Sequence, residues 1–410
     1  MIVRQENKDR RRWLILFLIW ILYASLGMGF ASLAPLVQPI QDDLDISYSK
    51  MGLVLGFWQL VTIFTFYPLG KLVDRHSPRI LLAIAAIAVG ASVALRGLAV
   101  DFTSLLMTVG LLGLAGPIIS VGAPKVTANW FVGKQRNFAV AVYITGPMAG
   151  AMLGMSLATT VILPIVDSWR EVMFIYGGII MLTGIIWYIL SRDRPYEASK
   201  LFLHENDKPM SLSSLLKIRN VRVVLVLSIA GLAIQHGVGI GWAPSILQHH
   251  AGMSLSEAGF WSGIAAGAGV VGTIIITTVA FTGIRRMIMA VLLLLTSVGL
   301  IGLSISADNL PVLSLMLIKF ASSPMWPILT LILIDTDEIG HRNIGTAIGL
   351  AFAVAEIGGA GGPVLLGIIQ DIQGSVIPGL VALSVLLFIL VFTTPLIRES
   401  VSKNNNNQSN

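Results

Sequence analysis

The sequence predicts an all-α integral membrane protein with twelve transmembrane helices in two pseudo-symmetric six-helix bundles. Three observations carry that expectation. The composition is 55% hydrophobic and 12% charged, with a mean hydropathy of +0.84, which is more apolar surface than a soluble globule could keep in water. The apolar residues gather in runs of the ~20 residues that a helix needs to cross a bilayer, too long for strands and without their period of two. The first half of the chain also recurs in the second. Ser47-x-Ser49-x-x-Gly52 returns as Ser254-x-Ser256-x-x-Gly259, Gly116-Pro117 as Ser323-Pro324 and Arg136-Asn137 as Arg342-Asn343, at offsets of 207, 207 and 206.

Taken in order, residues 1–12 read as a cytoplasmic tail ending in Arg10-Arg11-Arg12. The N-terminal bundle, 13–190, holds spans at 13–36, 51–72, 80–98, 105–130, 138–163 and 172–190. The first span is too long for the apolar core of a signal peptide and is expected to stay in the mature protein. Residues 191–220, with Arg192, Asp193, Arg194, Pro195, Glu205, Asp207, Lys208 and Pro209, read as a cytoplasmic linker. The C-terminal bundle, 221–396, holds spans at 221–247, 258–281, 287–305, 310–334, 344–369 and 376–396. The tail 397–410 ends in an Asn-rich run that cannot bury apolar surface and is expected to be disordered. With both termini in the cytoplasm, only Lys50 and Arg170 fall on outer loops, as the positive-inside rule requires. The net charge of +6 is therefore topology, and no nucleic-acid partner is expected. Spans 3, 6, 9 and 12 are short and nearly free of charge, which suits lipid-facing supports. The longer spans, with most of the glycines, prolines and charges, should line the interior.

The loop after the second span reads Gly70-Lys71-Leu72-Val73-Asp74-Arg75-His76-Ser77-Pro78-Arg79, which resembles the G-x-L-a-D-R-x-G-R-K signature of the major facilitator superfamily. Ser77 and Pro78 depart from its second glycine and following basic residue, and Val109 stands near the place where such transporters often carry an arginine. The resemblance implies secondary transport by alternating access. It also makes Gly70, Asp74, Arg75, Arg136 and Arg342 an inner gate, at which carboxylates cap helix N-termini and bridge the halves. A fainter resemblance, in Ala123-Pro124-Lys125, Trp130-Phe131, Arg136 and Ala94-Leu95-Arg96, is to the cyanate/nitroimidazole permease-like and nitrate permease-like branches. It implies a small, often anionic solute. Gly146-Pro147-x-x-Gly150 resembles part of an antiporter motif, but Gly146, Gly150 and Gly154 at i, i+4 and i+8 also suit close helix packing.

Charge inside a bilayer costs at least ~2.5 kcal/mol and needs a partner, water or a ligand. Lys125, Lys319 and Glu356 are the deepest charges. Lys319 and Lys125 are candidate substrate cations, and Glu356 is the candidate proton-coupling carboxylate. Taken as an antiparallel pair, spans 10 and 11 put Lys319 and Glu356 within reach of an ion pair, either structural or titrating during transport. Lys125 could equally snorkel to the inner interface. His236, among Gln235, Gly237, Gly239, Gly241 and Trp242, marks a weakened stretch of span 7 whose counterpart is Gly27-x-Gly29-Phe30 in span 1. Paired broken helices point to a central site, although a satisfied core histidine is the alternative. Trp58, Tyr143, Trp242 and Trp326 could wall a cavity or fill a core. Gly267-x-Gly269-x-x-Gly272 matches a dinucleotide fingerprint by letter only, since no strand precedes it.

Zero cysteines exclude thiol chemistry, and no histidines show the i, i+4 spacing of a helical metal site. Neither an acid-base constellation nor a Walker-type loop is present, so an enzyme and an ATP-driven pump are disfavoured. No cofactor is expected. The reading is a monomeric secondary transporter of a small anion in the cell membrane, in contact with lipid and with proton coupling open. Proton-coupled drug export is the alternative.

Overall fold

The computed structural model describes residues 2–131, 133–193, 210–281, 283–305, 309–340 and 343–399. Twelve of its helices are long and apolar enough to span a membrane. They are α1 (Arg11–Leu44), α2 (Tyr48–Arg75), α3 (Pro78–Arg96), α4 (Phe102–Trp130), α5 (Phe138–Val166), α6 (Trp169–Leu190), α7 (Arg219–Ala251), α8 (Leu255–Val279), α9 (Arg285–Leu303), α10 (Leu310–Ile334), α11 (Ile344–Gln373) and α12 (Ile377–Leu396). Residues 194–209, Arg342 and the tail from 400 onward lie outside the described residues.

The duplication reaches down to single backbone conformations. α2 and α8 begin at Tyr48 and Leu255, and α3 and α9 share both boundaries at an offset of 207. Left-handed residues close α1 at Asp45 and α7 at Gly252, and they recur at Asp167 after α5 and Gly374 after α11. Ser47 and Ser254 cap the next helices, accepting from the N–H groups of Lys50 and Glu257. In each pair of turns, one half meets the left-handed requirement with aspartate and the other with glycine, which pays no Cβ penalty there.

Glycines set the packing within each bundle. A Cβ at Gly27 would strike the Pro147 backbone, and one at Gly150 the Ala24 carbonyl, so α1 and α5 touch main chain to main chain. The 146/150/154 glycines thus form a packing stripe along Trp20–Met28. This corrects the expectation of a broken first helix at Gly27-x-Gly29: the α-helix runs through to Ala31. The break comes at the 3-10 turn Ala34–Leu36, where Pro35 interrupts the hydrogen-bond ladder. Arg96, 1% exposed at the end of α3, serves that break. It donates through Nη1 to the Gly29 carbonyl and to the Ser32 hydroxyl, both at 2.9 Å.

α3 and α6 present Ile84, Ile87, Leu182 and Ile189 outward, and α9 and α12 present Met287, Val298, Val385 and Phe392. These helices form the outer flanks of the bundles. The bundles meet along α2 with α11 and α5 with α8. On the face opposite the chain termini, here the distal face, contact is intimate. A Cβ at Gly52 or Gly56 of α2 would meet the Pro363 or Ala360 backbone, and one at Gly263 of α8 the Met152 carbonyl. Gln38 and Gln248 are hydrogen-bonded across the same face. On the terminal face, Gly70 of α2 and Gly345 and Gly349 of α11 have open space around them. The two bundles are therefore sealed distally and parted at the terminal face.

Candidate functional site

Two helices lose regularity beside one cluster of buried polar groups. α7 widens into a π-helical stretch at Ala233–Trp242, a rare form that gathers at functional sites. α10 breaks at Ser323-Pro324 between the segments Leu310–Ser322 and Met325–Ile334. Lys319 stands in the last turn of the first segment, where the negative end of the helix dipole favours a cation. It is 3% exposed and lies along Gly239 of the π stretch, where a Cβ would come within 2.9 Å of Nζ. Ser322 donates to the Gln235 amide oxygen at 3.2 Å and ties the two breaks together.

Glu356 is 2% exposed and belongs to another part of the same cluster. A Cβ built on Gly359 would lie 2.6 Å from Gln59 Nε2, 3.1 Å from His236 Nδ1 and 3.2 Å from Glu356 Oε2. These three polar atoms, from α2, α7 and α11, converge over a glycine, and each lacks a hydrogen-bond partner. Above them Phe30 and Trp58 stack at 5.5 Å and 9°. The half-buried His236 ring stands edge-on to Trp58 at 5.6 Å. The N-terminal bundle thus supplies Phe30, Trp58 and Gln59, and the C-terminal bundle supplies His236, Lys319 and Glu356.

The expected Lys319–Glu356 ion pair is not formed: among the described residues, the ion pairs are Arg170–Asp43 and Arg285–Asp335. Lys319 lies along Gly239, whereas Glu356 turns toward Gly359 and α2. Three other expected residues stand apart. Lys125, half-buried, donates to the Val73 carbonyl near the terminal end of α2. Tyr143 is 5% exposed inside the N-terminal bundle, its ring 5.6 Å from that of Tyr23. Trp242 donates to the Pro363 carbonyl at 2.9 Å, and its ring lies 5.8 Å from that of Tyr48, which makes it part of the distal seal. Trp326, half-buried, lines the side toward the terminal face against Phe352, which in turn meets Phe66 across the bundles at 4.9 Å. Gly70, Arg75 and Arg136 lie on the parted face, both arginines exposed. Asp74 occupies the last turn of α2, and its side chain lies outside the described part.

Gln59, Phe352 and Gly359 were not singled out from the sequence. An amide in an apolar span carries no charge to draw attention, and what makes Gln59 notable is its unsatisfied burial at 0% exposure.

Among known proteins, the chain is 26% identical over 390 residues to a hexuronate transporter of Bacillus subtilis, covering 87% of this chain and 89% of the relative. It is 23% identical to a D-galactonate transporter of Escherichia coli O6:H1, covering 78% and 80%. A nitrate/nitrite transporter of Nostoc punctiforme matches at 26% identity, over 45% of this chain and 38% of the relative. The fold is shared with a bacterial homologue of the human lysosomal transporter Spinster, solved inward-facing and occupied, at a TM-score of 0.70 and 16% identity over 94% of both chains. The model of the Major Facilitator Superfamily matches residues 19–363. With that match, twelve spanning helices and bundles that meet around an internal polar site, the chain belongs to the Major Facilitator Superfamily and is a secondary transporter.

Proposed function

We propose that the solute is a small hydroxylated carboxylate of the sugar-acid class, carried across the cell membrane by a monomer whose termini and terminal face are cytoplasmic. The observation that carries this reading is Lys319, a buried cation without a carboxylate partner among the described residues, in the same cluster as Gln59, His236 and Glu356. A carboxylate supplies the counter-charge that a buried ammonium lacks. Hydroxyl groups can accept from the Gln59 amide and donate to acceptors on the imidazole and carboxyl over Gly359, whereas nitrate and cyanate can only accept. The hexuronate and D-galactonate relatives cover most of the chain and support the sugar-acid branch over the nitrate branch. Glu356 is the proposed proton-coupling group, Trp58, Trp326 and Phe30 are proposed walls, and Asp74, Arg75, Arg136 and Arg342 are the proposed inner gate.

The test is uptake into proteoliposomes under an imposed pH gradient. Glucuronate, galacturonate or galactonate should be taken up saturably, and a tenfold excess of nitrate or cyanate should not compete. Uptake of nitrate with no sugar-acid uptake would return the protein to the nitrate branch, and gradient-driven efflux of a cationic drug would return it to the exporter reading. In the same assay, Glu356→Gln should keep exchange of labelled for unlabelled solute while losing gradient-driven accumulation. Accumulation unchanged in that variant would remove Glu356 from the coupling step.

A further inference from the structure

The distal seal contains a contact that the gate signature does not describe. Asp371, two residues before the end of α11, reaches across to the start of α2. Its Oδ1 accepts the Tyr48 N–H at 2.9 Å and its Oδ2 the Ser49 N–H at 2.8 Å. These are the first N–H groups of a 28-residue helix whose own first turn holds no acid, so the carboxylate meets both unpaired donors and the positive end of the helix dipole.

α2 and α11 run antiparallel, and their other ends are built alike. Asp74 stands one residue before the end of α2, next to the start of α11 in the pairing that Gly52–Pro363 and Gly56–Ala360 begin. The first turn of α11 also lacks an acid, and Asn343 makes no side-chain cap there. Its amide is spent elsewhere, accepting from the Met210 N–H at 2.9 Å and donating to the Ile339 carbonyl at 3.0 Å. Each helix thus carries near its C-terminal end the carboxylate that the other helix lacks at its N-terminal end. Here the distal contact is made, while the terminal ends are parted at Gly70, Gly345 and Gly349.

We propose that Asp371 is a gate-positioning residue of the transport cycle, the distal counterpart of Asp74 in the inner gate proposed above, and works in exchange with it. Asp371 holds the N-terminus of α2 while the protein is sealed distally, and Asp74 holds the N-terminus of α11 once the bundles rock the other way. Because one cap is given up as the other forms, the two states stay close in free energy, as a transporter that must visit both requires.

The chain has no cysteine, so Asp42→Cys and Asn309→Cys, both at exposed distal positions on opposite bundles, can be spin-labelled specifically and their separation measured by double electron–electron resonance. Asp371→Asn should raise the ratio of long to short distances about tenfold, the worth of one charge-assisted cap. Asp371→Glu should largely restore the parent ratio. Asp74→Asn should shift the ratio the opposite way, and Asp74→Asn with Asp371→Asn should return it toward the parent. A ratio unmoved by Asp371→Asn in protein that melts like the parent would overturn the proposal. So would a double variant that behaves like Asp371→Asn alone. If Asp371→Asn fails to fold, Asp74→Asn alone must still shorten the distal distances, and an unmoved ratio there overturns the exchange.

Discussion

Lys319→Ala is expected to lower the transport rate by about 100-fold while leaving the protein folded. The rate falls because the ammonium is the proposed substrate cation, and truncating one member of a buried charge contact costs about 2 to 5 kcal/mol of binding. The fold survives because no carboxylate is left behind: Glu356 stands apart at Gly359, and removal of an uncompensated buried charge relieves desolvation. Lys319→Arg keeps the charge, but its larger guanidinium must share the space beside Gly239, so intermediate activity is expected. Adding Glu356→Gln to Lys319→Ala should restore neither transport nor stability. Recovery in that double variant would show that the two residues pair in another state of the cycle. Uptake measured beside thermal melting of the purified protein separates these results.

Gly358→Ala is expected to destabilise the protein by about 3 kcal/mol, while Gly361→Ala, three residues on along α11, should change stability by less than about 0.5 kcal/mol. The difference lies in what a methyl group would meet. At Gly358 it falls on the carbonyl of Ile229 in α7, which is main chain and cannot rotate away, so the two helices must separate. At Gly361 nothing stands within 4 Å, and alanine gains helix propensity over glycine. Melting temperatures of the two variants decide the matter, and equal losses would mean that α7 and α11 do not touch at Gly358. Since α7 and α11 carry His236 and Glu356, Gly358→Ala should also impair transport, with solute affinity falling together with stability.

The spanning helices were readable because bilayer thickness imposes a length and an apolar composition that few other folds demand. The duplication was readable from Ser47 and Ser254, and the paired turns at Asp45 and Gly252 carry it into the backbone, where aspartate and glycine would not have been matched by letter. Lys319, Glu356 and His236 drew attention because charge and imidazole are costly in a span. What those residues face was not readable, because it depends on which way a side chain leaves a broken helix. The glycine at 239 draws Lys319 toward α7, and the glycine at 359 opens a space for Glu356, so two residues on adjacent helices do not meet. Trp242 and Tyr143 illustrate the opposite difficulty. An aromatic ring in a span is compatible with a cavity wall, a seal or a core, and only the neighbouring helix distinguishes them.

The guanidinium of Arg96 bears on how the chain is made. α1 leaves the ribosome first, and its turn at Ala34–Leu36 leaves the Gly29 carbonyl among the last acceptors of its helix without a successor in the ladder. Inside hydrocarbon such a group is costly until a donor reaches it; the Ser32 hydroxyl does so locally at 3.0 Å, and a charged donor follows more than sixty residues later, at the far end of α3. The turn that ends α1 is therefore closed in two stages, by Ser32 from within the helix and by Arg96 once the third helix lies beside it. A nascent chain long enough for Arg96 to have left the ribosome should protect the α1 turn from a membrane-permeant probe better than one in which Arg96 is still inside it. Assembly of the N-terminal bundle is in this respect completed by one arginine.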